Sequence, residues 1–260
     1  MLEFPDIMKH FIIVGTQRTG SSAYAELMNM HPDIACGWEW FQKEYFSDKP
    51  GLAESALNGD FSRLPDRERQ HIEGLLRKKP AWIGYRRLFR ASNKWLFSPR
   101  LSPALWVDQF ARHLGWISSR QDIAVIHIVR RDNIAWLCSK YLASLTNSYV
   151  GKAYPEDLKV RISIREAIKR VISKDWVDTR LAALSVTNPY VRVYYEDFLR
   201  HQDNALEAGL QLLDCDKTDM EKEQGEIKRQ ATKGPEDYIG NYEALRQALE
   251  QAGRLSTSVE

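Results

Sequence analysis

The sequence predicts an α/β fold, a three-layer sandwich in which a central, mainly parallel sheet is flanked by helices on both sides. Three runs, HFIIVG (10–15), DIAVIHIVR (122–130) and YVRVYYEDF (190–198), are nearly continuous stretches of apolar or β-branched residues. Such runs mark strands buried on both faces. Helical patterns lie between and beyond them at 20–30, 103–114, 132–145, 164–185, 202–213 and 238–252. Strands separated by helices pair in parallel. A chain of 260 residues, 43% hydrophobic and 28% charged, is large enough for one well-buried core and does not require two. A single domain over 1–260 is therefore expected.

The first strand runs into GTQRTGSS (15–22) and then AYAELMNM, a strand, a glycine-bounded turn and a helix. Against the phosphate-loop pattern G-x-x-x-x-G-K-[ST], Gly15, Gly20 and Ser22 fall in place, while Ser21 occupies the lysine position. The architecture expected is therefore P-loop-like. Two glycines permit a tight turn, and a helix starting near residue 20 directs unpaired N–H groups and its positive dipole end at a bound anion. The cation has moved to Arg18 inside the loop, where its planar fork suits phosphate or sulfate oxygens.

The second strand ends in Arg130 and Arg131, followed by Asp132, suited to cap the next helix, and by Ser139 about two turns along it. Adjacent parallel strands would bring these residues beside the first loop, so that one ligand with two anionic groups bridges both. A strand holding magnesium would end in a carboxylate instead. Arginines point to an anion site without metal. Residues 42–80 and 146–163 fit no regular element and are expected to shape an acceptor pocket above the strand ends. In YYEDFL, Glu196 and Asp197 read as a strand end and helix start, and His127 within its apolar strand reads as a hydrogen-bonded core residue.

A formal charge of +2 leaves no bulk field for gripping nucleic acid, which is not expected as a partner. No apolar run approaches the roughly 20 residues that span a bilayer. The opening MLEFPDIMKH lacks a signal peptide's apolar stretch, so a cytoplasmic location is expected. Cys36, Cys138 and Cys215 are widely spaced and contain no C-x-x-C pair, which argues for reduced thiols over a disulfide framework or zinc site.

Taken in order, GTQRTGSS with AELMNMHPDIACGWEWF, then IHIVRRDNIAWLCSKYLAS, VYYEDFL and KRQATKGPEDYIGNYEAL resemble the sulfotransferase superfamily, and within it bacterial enzymes similar to the trehalose sulfotransferase group. The resemblance covers most of the chain. It implies 3′-phosphoadenosine 5′-phosphosulfate (PAPS) as donor, no metal, and a hydroxyl acceptor such as a glycan or glycolipid. Arg18, Thr19, Gly20, Ser21 and Ser22 would hold the 5′-phosphosulfate. Ser139 and one arginine of the doublet would hold the 3′-phosphate; the family arginine lies eight or nine residues before the serine, so Arg130 and Arg131 both qualify. Arg229 and Gln230, with Lys233, would close over the nucleotide, and Arg86 stands where relatives carry a lysine.

Sulfuryl transfer needs a base, an in-line approach and stabilisation of charge on the leaving phosphate oxygen. Arg18 is the electrostatic element. The resemblance points to Glu39 as base, between Trp38 and Trp40, which would desolvate its carboxylate; Glu44 and His31 are reserves. The competing readings are a P-loop kinase or NTPase, which must account for Ser21 and the missing magnesium carboxylate, and a nucleotide-binding protein without catalysis.

Overall fold

The computed structural model describes residues 9–37, 80–89, 103–148, 153–217 and 231–255, with isolated positions between 62 and 77. Among these residues five strands, β1 (Lys9–Thr16), β2 (Ile34–Cys36), β3 (Trp82–Phe89), β4 (Ile123–Val129) and β5 (Tyr190–Tyr194), form one sheet in the order β2-β3-β1-β4-β5. Every pairing is parallel. The helices are α1 (Ser21–Met28), α2 (Pro103–Ser119), α3 (Asn133–Thr146), α4 (Ile164–Ala182), α5 (Tyr195–Arg200), α6 (Gln202–Leu212), α7 (Pro235–Tyr238) and α8 (Tyr242–Gln251). The expected layered α/β fold is thus observed.

Burial explains the strand signals. From His10 onward β1 is buried at every position, because neighbours pair with it on both edges and helices cover both faces. Phe11 and Ile13 join Ala124, Ile126 and Ile128 of β4 in a core with Tyr24 and Met28 of α1 and Leu206 and Leu210 of α6. Ile12 and Val14 alternate to the opposite face, where α4 packs on β1 and β4. A second core joins Trp136, Leu137 and Leu142 of α3 to Val171 of α4, Tyr238 of α7 and Leu245 and Leu249 of α8. No described helix is long and apolar enough to cross a membrane.

Several elements differ from the sequence reading. β2 has only three residues, and β3 carries two arginines, so neither shows as an apolar run. The third strand stops at Tyr194, and YEDFLR forms the short helix α5. The helix from 164 ends at Ala182 and tightens into a 3-10 turn over Ala183–Val186. Asp132 does cap α3, its carboxylate accepting from the Ala135 N–H at 2.8 Å. Of the two expected acceptor-shaping segments, 42–80 lies almost wholly outside the described residues.

Of the other segment, 146–163, the stretch from 153 to 162 runs alongside the chain before α8. Val160 N–H donates to Tyr238 O and Gly240 N–H to Val160 O, each at 2.8 Å. The Asn241 side chain closes both backbone groups of Ile162, at 3.0 and 2.8 Å. This ties the segment to the C-terminal region.

Candidate functional site

β1 and β4 are paired with Gly15 opposite Ile128, so both end at the same edge of the sheet and their following turns lie side by side. Gly15 is required there, because a Cβ would come within 2.5 Å of the Ile128 carbonyl oxygen. Gly20 precedes α1 in the left-handed region, at φ 81°, and a Cβ on it would collide with the Tyr195 ring. Arg18 is also left-handed, at φ 72°, although it is not glycine. That conformation costs about 1–2 kcal/mol, so the surroundings must hold it.

Three hydrogen bonds do so. Trp136, fully buried in α3, donates its indole N–H to Gln17 O at 2.8 Å. Arg130 donates from a terminal guanidinium nitrogen to Arg18 O at 3.3 Å. Thr19 turns its hydroxyl back onto Thr16 O at 2.9 Å. The carbonyls on either side of the Arg18 N–Cα–C unit are therefore fixed by Arg130, just beyond β4, and by α3, and the guanidinium projects from a rigid base.

That guanidinium meets α3. Its Nε donates to Ser139 Oγ at 3.0 Å, and Nη2 donates to the Tyr154 hydroxyl at 3.0 Å. Loop cation and helix serine, expected at separate anionic groups of one ligand, are in direct contact. Tyr154 is 3% exposed. Burial pushes its hydroxyl above the usual phenol range despite the opposing pull of Arg18, so it stands as a neutral phenol. Burial likewise pushes the neighbouring Cys138 thiol up to about 12, against the pull of Arg130.

The two arginines of the doublet diverge. Arg131 stacks on the Tyr194 ring with its guanidinium carbon 4.4 Å from the centroid, and it pairs with Asp197 and with Glu196 at 3.6 Å. Glu196 is further engaged by the backbone N–H groups of Arg131 and Asp132, at 3.1 and 3.0 Å. Arg130 turns toward the loop, lies 4.6 Å from the centroid of Tyr195, and keeps a buried Nε with no hydrogen-bond partner. A buried cationic donor in that state is poised for an anion.

Ser21 is buried at the start of α1, and Ser22 is half-buried beside it. Lys233, in the chain before α7, pairs with Glu156 at 3.0 Å. Arg86 belongs to β3, opposite Ile13, with its side chain outside the described residues. Glu39, Glu44, Trp38, Trp40, Arg229 and Gln230 also lie outside them.

His31, a reserve base, is fully buried away from the loop. Its Nδ1 accepts from Asp33 N–H at 3.2 Å, which leaves Nε2–H to donate to Asp216 O at 3.0 Å. Both nitrogens are engaged in fastening the end of α1. His127 is a core residue as expected, 2.7 Å from the Tyr190 hydroxyl. Beside it a cavity of about 530 Å³ is lined by Arg130, Arg131, Lys174, Asp178, Asp175 and Arg254 among others. Within it Lys174 pairs with Asp178 at 3.0 Å and Arg254 with Asp175 at 2.9 Å.

Trp136 and Tyr154 are the site residues that sequence reasoning missed. Trp136 sits in an apolar helix pattern where packing is the default role, and Tyr154 stands 136 positions from the arginine it touches.

The family model described as "Sulfotransferase family" matches residues 10–219. No curated protein matches the chain. Among solved structures, a sulfotransferase from Alicyclobacillus acidocaldarius is similar at 15% identity, with 96% of this chain and 95% of that one covered and a TM-score of 0.48. The sulfotransferase STF9 from Mycobacterium avium is similar at 12% identity, covering 98% of this chain and 78% of that one, with a TM-score of 0.43. The sulfotransferase domain of the Synechococcus PCC 7002 olefin synthase is similar at 12% identity, covering 87% and 82%, with a TM-score of 0.42.

Proposed function

Because the chain belongs to the sulfotransferase family, we propose that it acts as one domain that moves the sulfuryl group of PAPS, by in-line displacement, onto a hydroxyl of a saccharide, glycolipid or other alcohol. A cytoplasmic site of action, and the likeness to bacterial trehalose sulfotransferases, belong to the same reading. One observation carries the choice of donor. Arg18 is held left-handed at the end of β1 within reach of Ser139, and Arg130 brings an unpartnered buried donor to the same place.

In this reading the turn from Arg18 to Ser22 wraps the 5′-phosphosulfate, and Arg130 with Ser139 takes the 3′-phosphate. Arg18 exchanges its hydroxyl partners for donor oxygens and balances the charge that grows on the leaving phosphate as the S–O bond breaks. Glu39 takes the proton of the attacking hydroxyl, and Arg229, Gln230 and Lys233 close over the nucleotide. Arg131 fastens the end of β4 to α5.

Calorimetry with adenosine 3′,5′-bisphosphate, with and without magnesium, tests the donor. Tight binding that ignores magnesium is expected. Transfer of label from PAPS to a panel of glycans, lipids and small alcohols then tests the chemistry. Binding of ATP that depends on magnesium, with none of the bisphosphate, would overturn the assignment.

A further inference from the structure

We infer that Glu196 is a positioning residue for donor binding: its carboxylate sets the backbone of the turn between β4 and α3, so that Arg130 faces the loop after β1. The inference rests on the donor assignment above. In the sequence this residue reads only as part of a strand end and helix start.

The turn runs from Arg130 to Asp132, beyond the last residue of β4 and before the first of α3. Its clamp comes from 64 positions away. Glu196 Oε2 accepts from the Arg131 N–H at 3.1 Å, and Oε1 accepts from the Asp132 N–H at 3.0 Å. Each oxygen holds one amide. The Arg131 N–H shares a rigid peptide plane with the Arg130 carbonyl, so the clamp fixes one side of the Arg130 backbone, while the pairing of Val129 with Tyr194 holds the other. The guanidinium therefore leaves the strand end in a set direction.

Glu196 is suited to this place. Its side chain is 13% exposed, and it stands in the first turn of α5, where negative charge is favoured. The neighbouring Tyr195 completes the brace. Its ring faces Gly20, on which a Cβ would collide with it, and lies 4.6 Å by its centroid from the Arg130 guanidinium carbon. Two consecutive residues of α5 thus touch the first loop, the Arg130 side chain and the backbone on which Arg130 stands. Arg130 in turn donates to Arg18 O at 3.3 Å, so a displaced turn disturbs both loops.

The test is a double-mutant cycle read by titration with adenosine 3′,5′-bisphosphate. Glu196→Gln keeps the size of the side chain but replaces one oxygen by an NH2 group, which sets donor against donor at one of the two amides. Bisphosphate affinity should fall by about tenfold, the scale of a hydrogen bond to a charged group. In an Arg130→Gln background the same substitution should cost less than about twofold, because the group it positions is gone and coupled contacts do not add. In an Arg131→Gln background the loss should persist, since the clamp acts on backbone amides and not through the ion pair at 3.6 Å.

Melting curves accompany the titrations, and the fall in melting temperature caused by Glu196→Gln should be similar with and without Arg130. An affinity loss of equal size in those two backgrounds, or no loss in either, overturns the inference, whatever the melting curves show. Glu196→Asp, which keeps the charge and shortens the reach, takes the place of Glu196→Gln in the same cycle if that variant folds poorly, with the same outcomes deciding. If the unaltered protein binds no bisphosphate at all, the donor assignment fails and this inference falls with it. If it binds bisphosphate and the cycle is additive, only the inference fails.

Discussion

Replacing Arg130 and Arg131 one at a time by glutamine separates a binding arginine from a fastening one. Arg130 faces the loop with a buried, unpartnered Nε, so under the proposed reading Arg130→Gln would remove a charge-assisted pair with the 3′-phosphate. Such pairs are worth roughly 2–4 kcal/mol, which corresponds to a bisphosphate affinity lower by about 30- to 700-fold. Arg131 is bound differently. Its side chain is 32% exposed, and its partners Glu196 and Asp197 are 13% and 49% exposed. Partly exposed pairs contribute at most about 1 kcal/mol. Glu196 also keeps the two backbone N–H groups at 3.1 and 3.0 Å when the guanidinium is gone. Arg131→Gln should therefore lower the melting temperature by no more than about 2–4 °C and leave nucleotide affinity nearly intact. Calorimetric titration and a thermal melt on both variants suffice. An affinity loss confined to Arg131→Gln would show that Arg131, not Arg130, holds the ligand.

Three further outcomes are expected. Glu39→Gln should slow single-turnover transfer by about 10²- to 10⁴-fold while bisphosphate binding persists; transfer above about a tenth of the wild-type rate would remove Glu39 from the chemistry. Trp136→Phe keeps the buried ring but strands the Gln17 carbonyl, now bonded at 2.8 Å, and should cost about 1–3 kcal/mol, visible as a lower urea midpoint together with weaker bisphosphate binding; an unchanged affinity would mean that the loop holds its shape without the indole. Burial holds the His127 imidazole below its ordinary range, against the pull of Asp178, so below about pH 6.5 the unfolded chain binds a proton that the folded chain refuses. Stability should then fall with pH by up to about 1.4 kcal/mol per unit, and an equally steep fall in His127→Asn would assign the slope to other groups.

The central strands were legible because burial on both faces leaves an unbroken apolar record, as in FIIV and AVIHIV. β3 left no such record, since its two arginines interrupt WIGYRRLF, and the three residues of β2 are too few to stand out. The loop was legible through the spacing of Gly15 and Gly20, and Asp132 through its place before a helix. The choice between Arg130 and Arg131 was not, because β4 ends at Val129 and strand alternation no longer governs where the next side chains point. Tyr154 was invisible for another reason: its role is created by a long-range contact with Arg18, and its local sequence, KAYPEDLK, is merely polar.

The clasp around Arg18 also bears on competition from solvent ions. A guanidinium standing open in water would attract chloride or any other small anion that passed. Here its Nε and Nη2 already rest on two neutral oxygens, those of Ser139 and Tyr154. An ion that takes these two donors must displace both hydroxyls, which a single monovalent sphere matches poorly. A tetrahedral oxyanion presents several oxygens and can replace the pair without leaving a donor empty. Ser139 and Tyr154 thus compete with any anion for these two donors, and shape and charge density decide which anion prevails.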